Sequence, residues 1–250
     1  MPAATTPVFL VEELPAGSHA VLDGDEARHA ATVKRMRPGE RLTLSDGAGG
    51  AADCVVEVVR PGRDATLELT VRRRWADPAP RLRVVVVQGL VKGDRGELAV
   101  ELATEAGADG VLPWRAERSV ARWEDGPRAA KALARWQATA RTAAKQARRT
   151  WVPHVREPVD LAGLTAAVTQ AAATLVLEGT ATRRLTEVPL PAEGELLLVV
   201  GPEGGITDGE LDALTAAGAV PVRLGPAVLR TSTAAAVALG ALGALTDRWT

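Results

Sequence analysis

The stretch LLLVVGPEGGITDGE, residues 196–210, decides how the second half of the chain is read. Leu196 to Val200 form an unbroken apolar run of strand length, the kind buried on both faces in a parallel sheet. The run ends in Gly201-Pro202-Glu203-Gly204-Gly205, where the glycines leave room for a ligand to approach the backbone and the proline stiffens the turn. Thr207 and Glu210 stand at capping-box spacing, so a helix is expected to start there and to close at Gly218. A strand, a glycine-rich turn and a capped helix in that order is how open α/β sheets build a ligand site at the carboxyl ends of their strands. The pattern is neither G-x-G-x-x-G nor GxxxxGK[ST], so it indicates neither a dinucleotide nor a nucleoside triphosphate.

The segments on either side repeat the rhythm. Downstream, VRLGPAVLRTSTAAAVALGAL (222–242) is a strand ending in Gly225-Pro226, a short loop with Arg230, and a helix opening on Thr231-Ser232-Thr233. Three hydroxyls beside an arginine offer capping and ligand hydrogen bonds at a helix N-terminus. The small residues that follow allow close packing against another backbone, within the chain or across a dimer. Upstream, RLRVVVVQGL (81–90) reads as a second buried strand and GDRGELAVELATEAG (93–107) as an amphipathic helix. Then come the short strand VLPW, a long basic helix over 127–149, a helix over 161–172 and the strand TLVLEG. Strands alternating with helices predict an α/β sheet domain over residues 81–250.

Residues 1–75 have a different rhythm. DEARHAATVKRM (25–36) is expected to be one helix, stopped by Pro38-Gly39. Three extended runs follow, ERLTLSD, ADCVVEVVR and DATLELTVRRRW, separated by glycine and Pro-Gly turns that suggest an antiparallel meander or small barrel. ADPAP, residues 76–80, carries two prolines without apolar periodicity and reads as the linker between the two domains.

Bulk properties narrow the function classes. A formal net charge of -1 announces no nucleic-acid partner, so any such contact must come from local basic patches. No apolar run approaches the roughly 20 residues of a membrane span, and the start lacks the pattern of a secretory signal, so a cytoplasmic protein is expected. The one cysteine, Cys54, excludes an internal disulfide, and no His/Cys/Asp cluster has metal-ligand spacing, so no metal is expected.

Taken together, GPEGG before a capped helix and LGPAVLRTSTA about twenty residues later resemble the carboxyl-terminal signature of the 16S ribosomal RNA uracil-N3 methyltransferase family of the SPOUT superfamily. Further elements match in order: His29, Val33 and Arg35 in the early helix; Lys92-Gly93-Asp94-Arg95; Glu117-Arg118-Ser119; and Gln146, Arg149, Val152 and Pro153. The sequence departs from the family's habit at Leu102, Lys145 and Ser232. The resemblance implies an α/β SPOUT-type domain with a deep trefoil knot at its carboxyl end, preceded by a small PUA-like β-barrel domain. It implies S-adenosylmethionine as cofactor, 16S rRNA of the small subunit as substrate, and a homodimer with no membrane partner. The cofactor would be held by three loops: Leu177, Glu178 and Gly179; Gly201, Pro202, Glu203, Gly204 and Gly205; and Leu224, Gly225, Val228, Leu229, Arg230 and Thr231. Arg230 and Glu203 are the catalytic candidates. Arg28, His29, Lys34, Arg35, Lys92, Arg118, Gln146 and Arg149 are expected at the RNA.

Methylating N3 of uracil sets clear demands. The base must be unpaired and its N3 proton removed or its anion stabilised. Arg230 suits the anion and Glu203 the proton, although a carboxylate in a Pro-Glu-Gly turn can equally hold the loop by accepting backbone hydrogen bonds. Two alternatives stand beside this reading: another SPOUT enzyme, acting on a ribose 2'-hydroxyl or a different base of rRNA or tRNA, and a non-catalytic RNA-binding dimer.

Overall fold

The computed structural model describes residues 6–124 and 126–249. Residues 1–5, on which the expectation of a missing signal segment partly rests, lie outside the described residues. The chain divides into two compact units, Met1–Ala79 with Ala144–Val152, and Pro80–Ala143 with Pro153–Thr250.

The first unit is a five-stranded sheet of order β1-β3-β4-β5-β2. Its strands are β1 (Val8–Leu10), β2 (His19–Leu22), β3 (Arg41–Ser45), β4 (Gly50–Arg60) and β5 (Thr66–Ala76). The last three correspond to the extended runs read from sequence and pair antiparallel. β1 adds parallel to β3, and β2 antiparallel to β5. Alternate residues face inward, so Phe9, Leu42, Leu44, Leu67 and Leu69 are buried in one core. Burial of each such side chain is worth about 1.5–3 kcal/mol.

The helix expected over 25–36 is broken. A short α-helix, α1 (Gly24–Arg28), passes directly into a π-helical turn, His29–Val33, and Arg35 then takes a left-handed φ of 53°. The wider turn brings both Ala30 and Met36 into the core, with the Thr32 hydroxyl donating to the Arg28 carbonyl at 2.5 Å. A helix with regular 3.6-residue spacing would carry Met36 off that face. Residues 144–152 join this unit through bonds to residues distant in sequence. Gly49 N–H donates to the Thr150 carbonyl at 2.9 Å, Val152 N–H to Gly47 at 2.9 Å, and the Thr150 hydroxyl to Asp77 at 2.8 Å.

The second unit is a six-stranded sheet of order β11-β9-β10-β6-β7-β8. Its strands are β6 (Leu82–Gly89), β7 (Gly110–Trp114), β8 (His154–Val155), β9 (Ala173–Leu177), β10 (Gly194–Val200) and β11 (Val220–Val222), and all neighbours are parallel. The helices are α2 (Arg95–Glu105), α3 (Pro127–Gln146), α4 (Leu161–Gln170), α5 (Asp208–Ala216) and α6 (Thr231–Leu245). The central strands β6 and β10 are buried on both faces, which is why they are continuous in apolar residues. Val84, Val86, Leu196 and Leu198 pack with α6 residues Ala235, Ala238 and Leu242 on one side. Val85, Val87, Leu197 and Val199 pack with Leu164 and Leu214 on the other. Val200 is in register with both Gln88 and Leu177, and Leu177 with Val222, so the loops leaving β9, β10 and β11 start side by side.

Candidate active site

Those three loops enclose a cleft of about 440 Å³ at the carboxyl ends of the strands. Pockets of about 300–1,000 Å³ accommodate small molecules and cofactors. From the first loop Leu177, Glu178 and Gly179 line it; from the second Gly201, Pro202, Glu203 and Gly205; from the third Leu224, Gly225, Val228, Leu229, Arg230 and Thr231. Gly204 does not. Its bare face is turned to the ERS element, where a Cβ would come within 2.9 Å of Arg118 Cβ. Arg118 in turn donates from Nη1 to the Gly204 carbonyl at 3.3 Å. Gly204 therefore gives the loop room to sit against Arg118 rather than lining the cleft, and Arg118 is fixed behind the loop.

The second loop is held from several directions. Gly205 has a φ of 77°, where a side chain would be strained, and its N–H donates to the Pro202 carbonyl at 2.9 Å. Gly89, at the end of β6, lies so close that a Cβ there would sit 2.6 Å from Pro202 N. The capping box read from sequence is present at the head of α5: the Thr207 hydroxyl accepts from Glu210 N, and Glu210 accepts from Thr207 N at 2.9 Å. The same buried carboxylate accepts from Glu117 N at 2.7 Å, so the box also fastens the ERS element.

Arg95, the first residue of α2, reaches Glu203 at 3.5 Å. Arg230 is the N-cap residue of α6, its side chain is exposed, and it makes no ion pair among the described residues. Thr231, the first residue of that helix, donates from Oγ1 to the Gly201 carbonyl at 2.6 Å and ties the third loop to the second. Val200, Val222 and Ala234 add apolar wall. A cleft of this kind offers backbone donors and acceptors, a flat apolar surface, the carboxylates of Glu178 and Glu203, and, beside the paired Arg95, the guanidinium groups of Arg223 and Arg230. Sequence reasoning had Arg95 only as part of a motif and passed over Gln88, whose amide nitrogen donates to the Thr231 hydroxyl at 3.1 Å.

The residues expected at RNA separate between the units. Arg28 ends α1, His29 opens the π turn and Lys34 and Arg35 follow it directly, while Gln146 and Arg149 belong to the same unit through the 144–152 segment. Lys145 joins the two groups: its ammonium donates to both Glu26 oxygens at 2.6 and 2.7 Å and stands 5.7 Å above the Phe9 ring. His29 meets the same ring edge-on at 6.1 Å. Burial, and after it the Lys145 and Lys34 cations, hold the His29 imidazole below its ordinary 6.5, with Glu26 pulling the other way. Lys92 is exposed in the turn before α2, in the second unit. Among the described residues no group of three His, Cys, Asp or Glu side chains could hold a metal ion, and no helix is long and apolar enough to cross a membrane.

Comparison with known proteins agrees with this geometry. Residues 78–243 match the RNA methyltransferase domain family and residues 22–69 the RNA methyltransferase PUA domain. A ribosomal RNA small subunit methyltransferase E of Mycobacterium bovis is 55% identical over 97% of this chain and 93% of its own length. A methyltransferase of Legionella pneumophila, solved with bound S-adenosylmethionine, superposes with a TM-score of 0.85 at 27% identity over 97% of this chain and 99% of that one. A ribosomal RNA small subunit methyltransferase E of Neisseria gonorrhoeae, also solved with that molecule, gives 0.82 at 28% identity over 96% and 98%.

Proposed function

We propose that this chain, which belongs to the ribosomal RNA small subunit methyltransferase E family, transfers a methyl group from S-adenosylmethionine to N3 of one uridine in 16S rRNA. The observation that carries the reading is the cleft itself, where three loops bring their backbones together at the carboxyl ends of parallel strands. The residues present fit the cofactor. Leu177, Val200, Val222 and Leu224 offer apolar surface to a nucleobase, loop backbone offers partners to its polar edge, and Glu203 offers a carboxylate to a cation. When bound, the cofactor supplies a methyl group already activated as an electrophile.

The chain's own task is orientation, exclusion of water and charge. Arg230, at the cleft and unpaired, stabilises negative charge on a uracil carbonyl as N3 loses its proton. Glu203 takes that proton, and Arg95 holds its carboxylate in place until the base arrives. The substrate base must be out of any pair, since N3 is otherwise occupied. RNA recognition falls to the first unit, residues 1–75 of which form the RNA-binding domain, with Arg28, His29, Lys34, Arg35, Gln146 and Arg149 on phosphates. Lys92 is assigned to the same RNA from residues 81–250, the methyl-transfer domain, and Arg118 reaches it only through the loop it supports. The chain works in the cytoplasm as a homodimer, with the last helix threaded as a trefoil knot. The exposure of Val237 and Leu245, apolar residues of α6, supports a partner subunit against that helix.

Calorimetry tests the proposal. S-adenosylmethionine is expected to bind the wild-type protein and not Gly179→Trp, which adds an indole at an open position of the cleft. Absence of binding by a folded wild type would overturn the reading.

A further inference from the structure

Gln88 ends the apolar run of β6 and is 1% exposed. Its Nε2 donates to the Thr231 hydroxyl and to the Gly89 carbonyl, each at 3.1 Å. Having accepted that bond, the hydroxyl donates to the Gly201 carbonyl at 2.6 Å. A hydroxyl has one proton, so the amide above it fixes which way that proton points. The chain of bonds Gln88, Thr231, Gly201 thus runs from the central strand, through the first residue of α6, to the first residue of the glycine-rich loop.

The arrangement is costly in one respect. Gln88 Oε1 is buried and has no hydrogen-bond partner among the described residues. A buried acceptor left unpaired costs about 1–3 kcal/mol. An apolar side chain of the same length would escape that cost in the middle of an apolar strand. The amide is therefore poorly explained by stability and well explained by what its nitrogen holds. Reversing the amide would not help: an oxygen facing Thr231 would draw the hydroxyl proton away from Gly201 and leave the loop carbonyl without its donor.

We infer that Gln88 is a positioning residue for cofactor binding, acting through the Thr231 hydroxyl to hold the second and third cleft loops in mutual register. It touches neither cofactor nor RNA in this scheme. The inference rests on the proposed cofactor reading, and the experiment separates the two. Calorimetry with S-adenosylmethionine and a thermal melt of the unliganded protein are run on wild type, Gln88→Met, Thr231→Val, Thr231→Ser and the double variant Gln88→Met/Thr231→Val.

The expected result is a split between affinity and stability. Gln88→Met weakens cofactor binding about tenfold, about 1.4 kcal/mol, while its melting temperature stays or rises. Thr231→Val loses at least as much, the double variant adds little to Thr231→Val, and Thr231→Ser loses less than Thr231→Val because it keeps the hydroxyl. The KM for RNA stays unchanged throughout. Wild-type affinity in Gln88→Met, or additive losses in the double variant, would overturn the inference while leaving the cofactor reading intact. A melting temperature that falls in step with affinity would make Gln88 a packing residue and overturn it too. A folded wild type that binds no S-adenosylmethionine would instead defeat the reading beneath it.

Discussion

The surface of the first unit and the cleft of the second dispose their polar groups in opposite ways. In the first, charge sits on side chains paired across neighbouring elements: Arg41 with Asp53, Arg60 with Glu68, Lys145 with Glu26. In the second, the cleft is built largely from main chain and apolar walls, and its charged side chains are Arg95 paired with Glu203, together with Glu178, Arg223 and Arg230. A side-chain surface grips by the sum of many small contacts, most of them screened by water and salt. A backbone cradle depends on the path of the chain, so one added methyl group can close it. Substitutions in the first unit should act by degrees, and those around the cleft nearly all at once.

The broadest effect, on stability and cofactor binding together, is expected at Gly89. In Gly89→Ala the new methyl meets Pro202 N at 2.6 Å, and backbone must move. Overpacking of this kind costs about 1–3 kcal/mol of stability, and cofactor affinity should fall further than the melt suggests. A variant that binds like wild type would show that β6 does not set the path of the loop.

Arg230→Ala sharpens the contrast from within the cleft. Loss of one charge-stabilising donor lowers the chemical step by about 10²–10³-fold, and cofactor affinity should stay within a few-fold, as read by single-turnover transfer beside calorimetry. An equal loss in both would make Arg230 a binding residue.

Lys145→Met probes the other unit. The pair is only about one-fifth exposed, at 20% for Lys145 and 22% for Glu26, so stranding Glu26 should cost about 1–3 kcal/mol. RNA affinity should weaken while cofactor binding in the isolated reaction stays as it was. Loss of cofactor binding would break the separation of roles.

The smallest effect is a pH dependence. His29 is held below 6.5 when folded, so the unfolded chain takes up its proton first as pH falls. The stabilising contribution is whole above about 6.5 and drains away below it, down through the depressed folded value. Lys145, Lys34 and Glu26 are the charges that set it, with Phe9 supplying the burial. Melts between pH 7.5 and pH 5, at about those values, should show an acid decline that His29→Gln removes; an unchanged decline would assign it to other groups.

Much of the second unit could be read from sequence because its signals are local. The apolar runs of β6 and β10, the turn at Gly201 to Gly205 and the Thr207–Glu210 box each state their structure within a few residues. The short strands β1 and β2 escaped notice, since three or four residues carry too little alternation and gain their meaning only from β3 and β5. The π turn escaped because the cap and the stop at Pro38-Gly39 read as one ordinary helix, while the register that buries both Ala30 and Met36 is set by the core. Helical periodicity likewise runs on past Gln146, so nothing local announces that residues 144–152 belong with the first unit. Among the residues that line the cleft, Glu203 and Arg230 stood out from their loops and Leu177 only through the family resemblance, whereas Gln88 is hidden in an apolar strand and Gly204 looks like its neighbours until Arg118 is seen against it. Sequence shows where a loop is glycine-rich, not which glycine faces the ligand.

The most direct test is nucleoside analysis by mass spectrometry of 16S rRNA taken from small subunits lacking the modification and incubated with the protein and S-adenosylmethionine. The account predicts 3-methyluridine at a single position, absent when Arg230→Ala replaces the wild type over the same short incubation. A methyl group on a ribose hydroxyl or on another base, or no methylated product from protein that binds the cofactor, would contradict it.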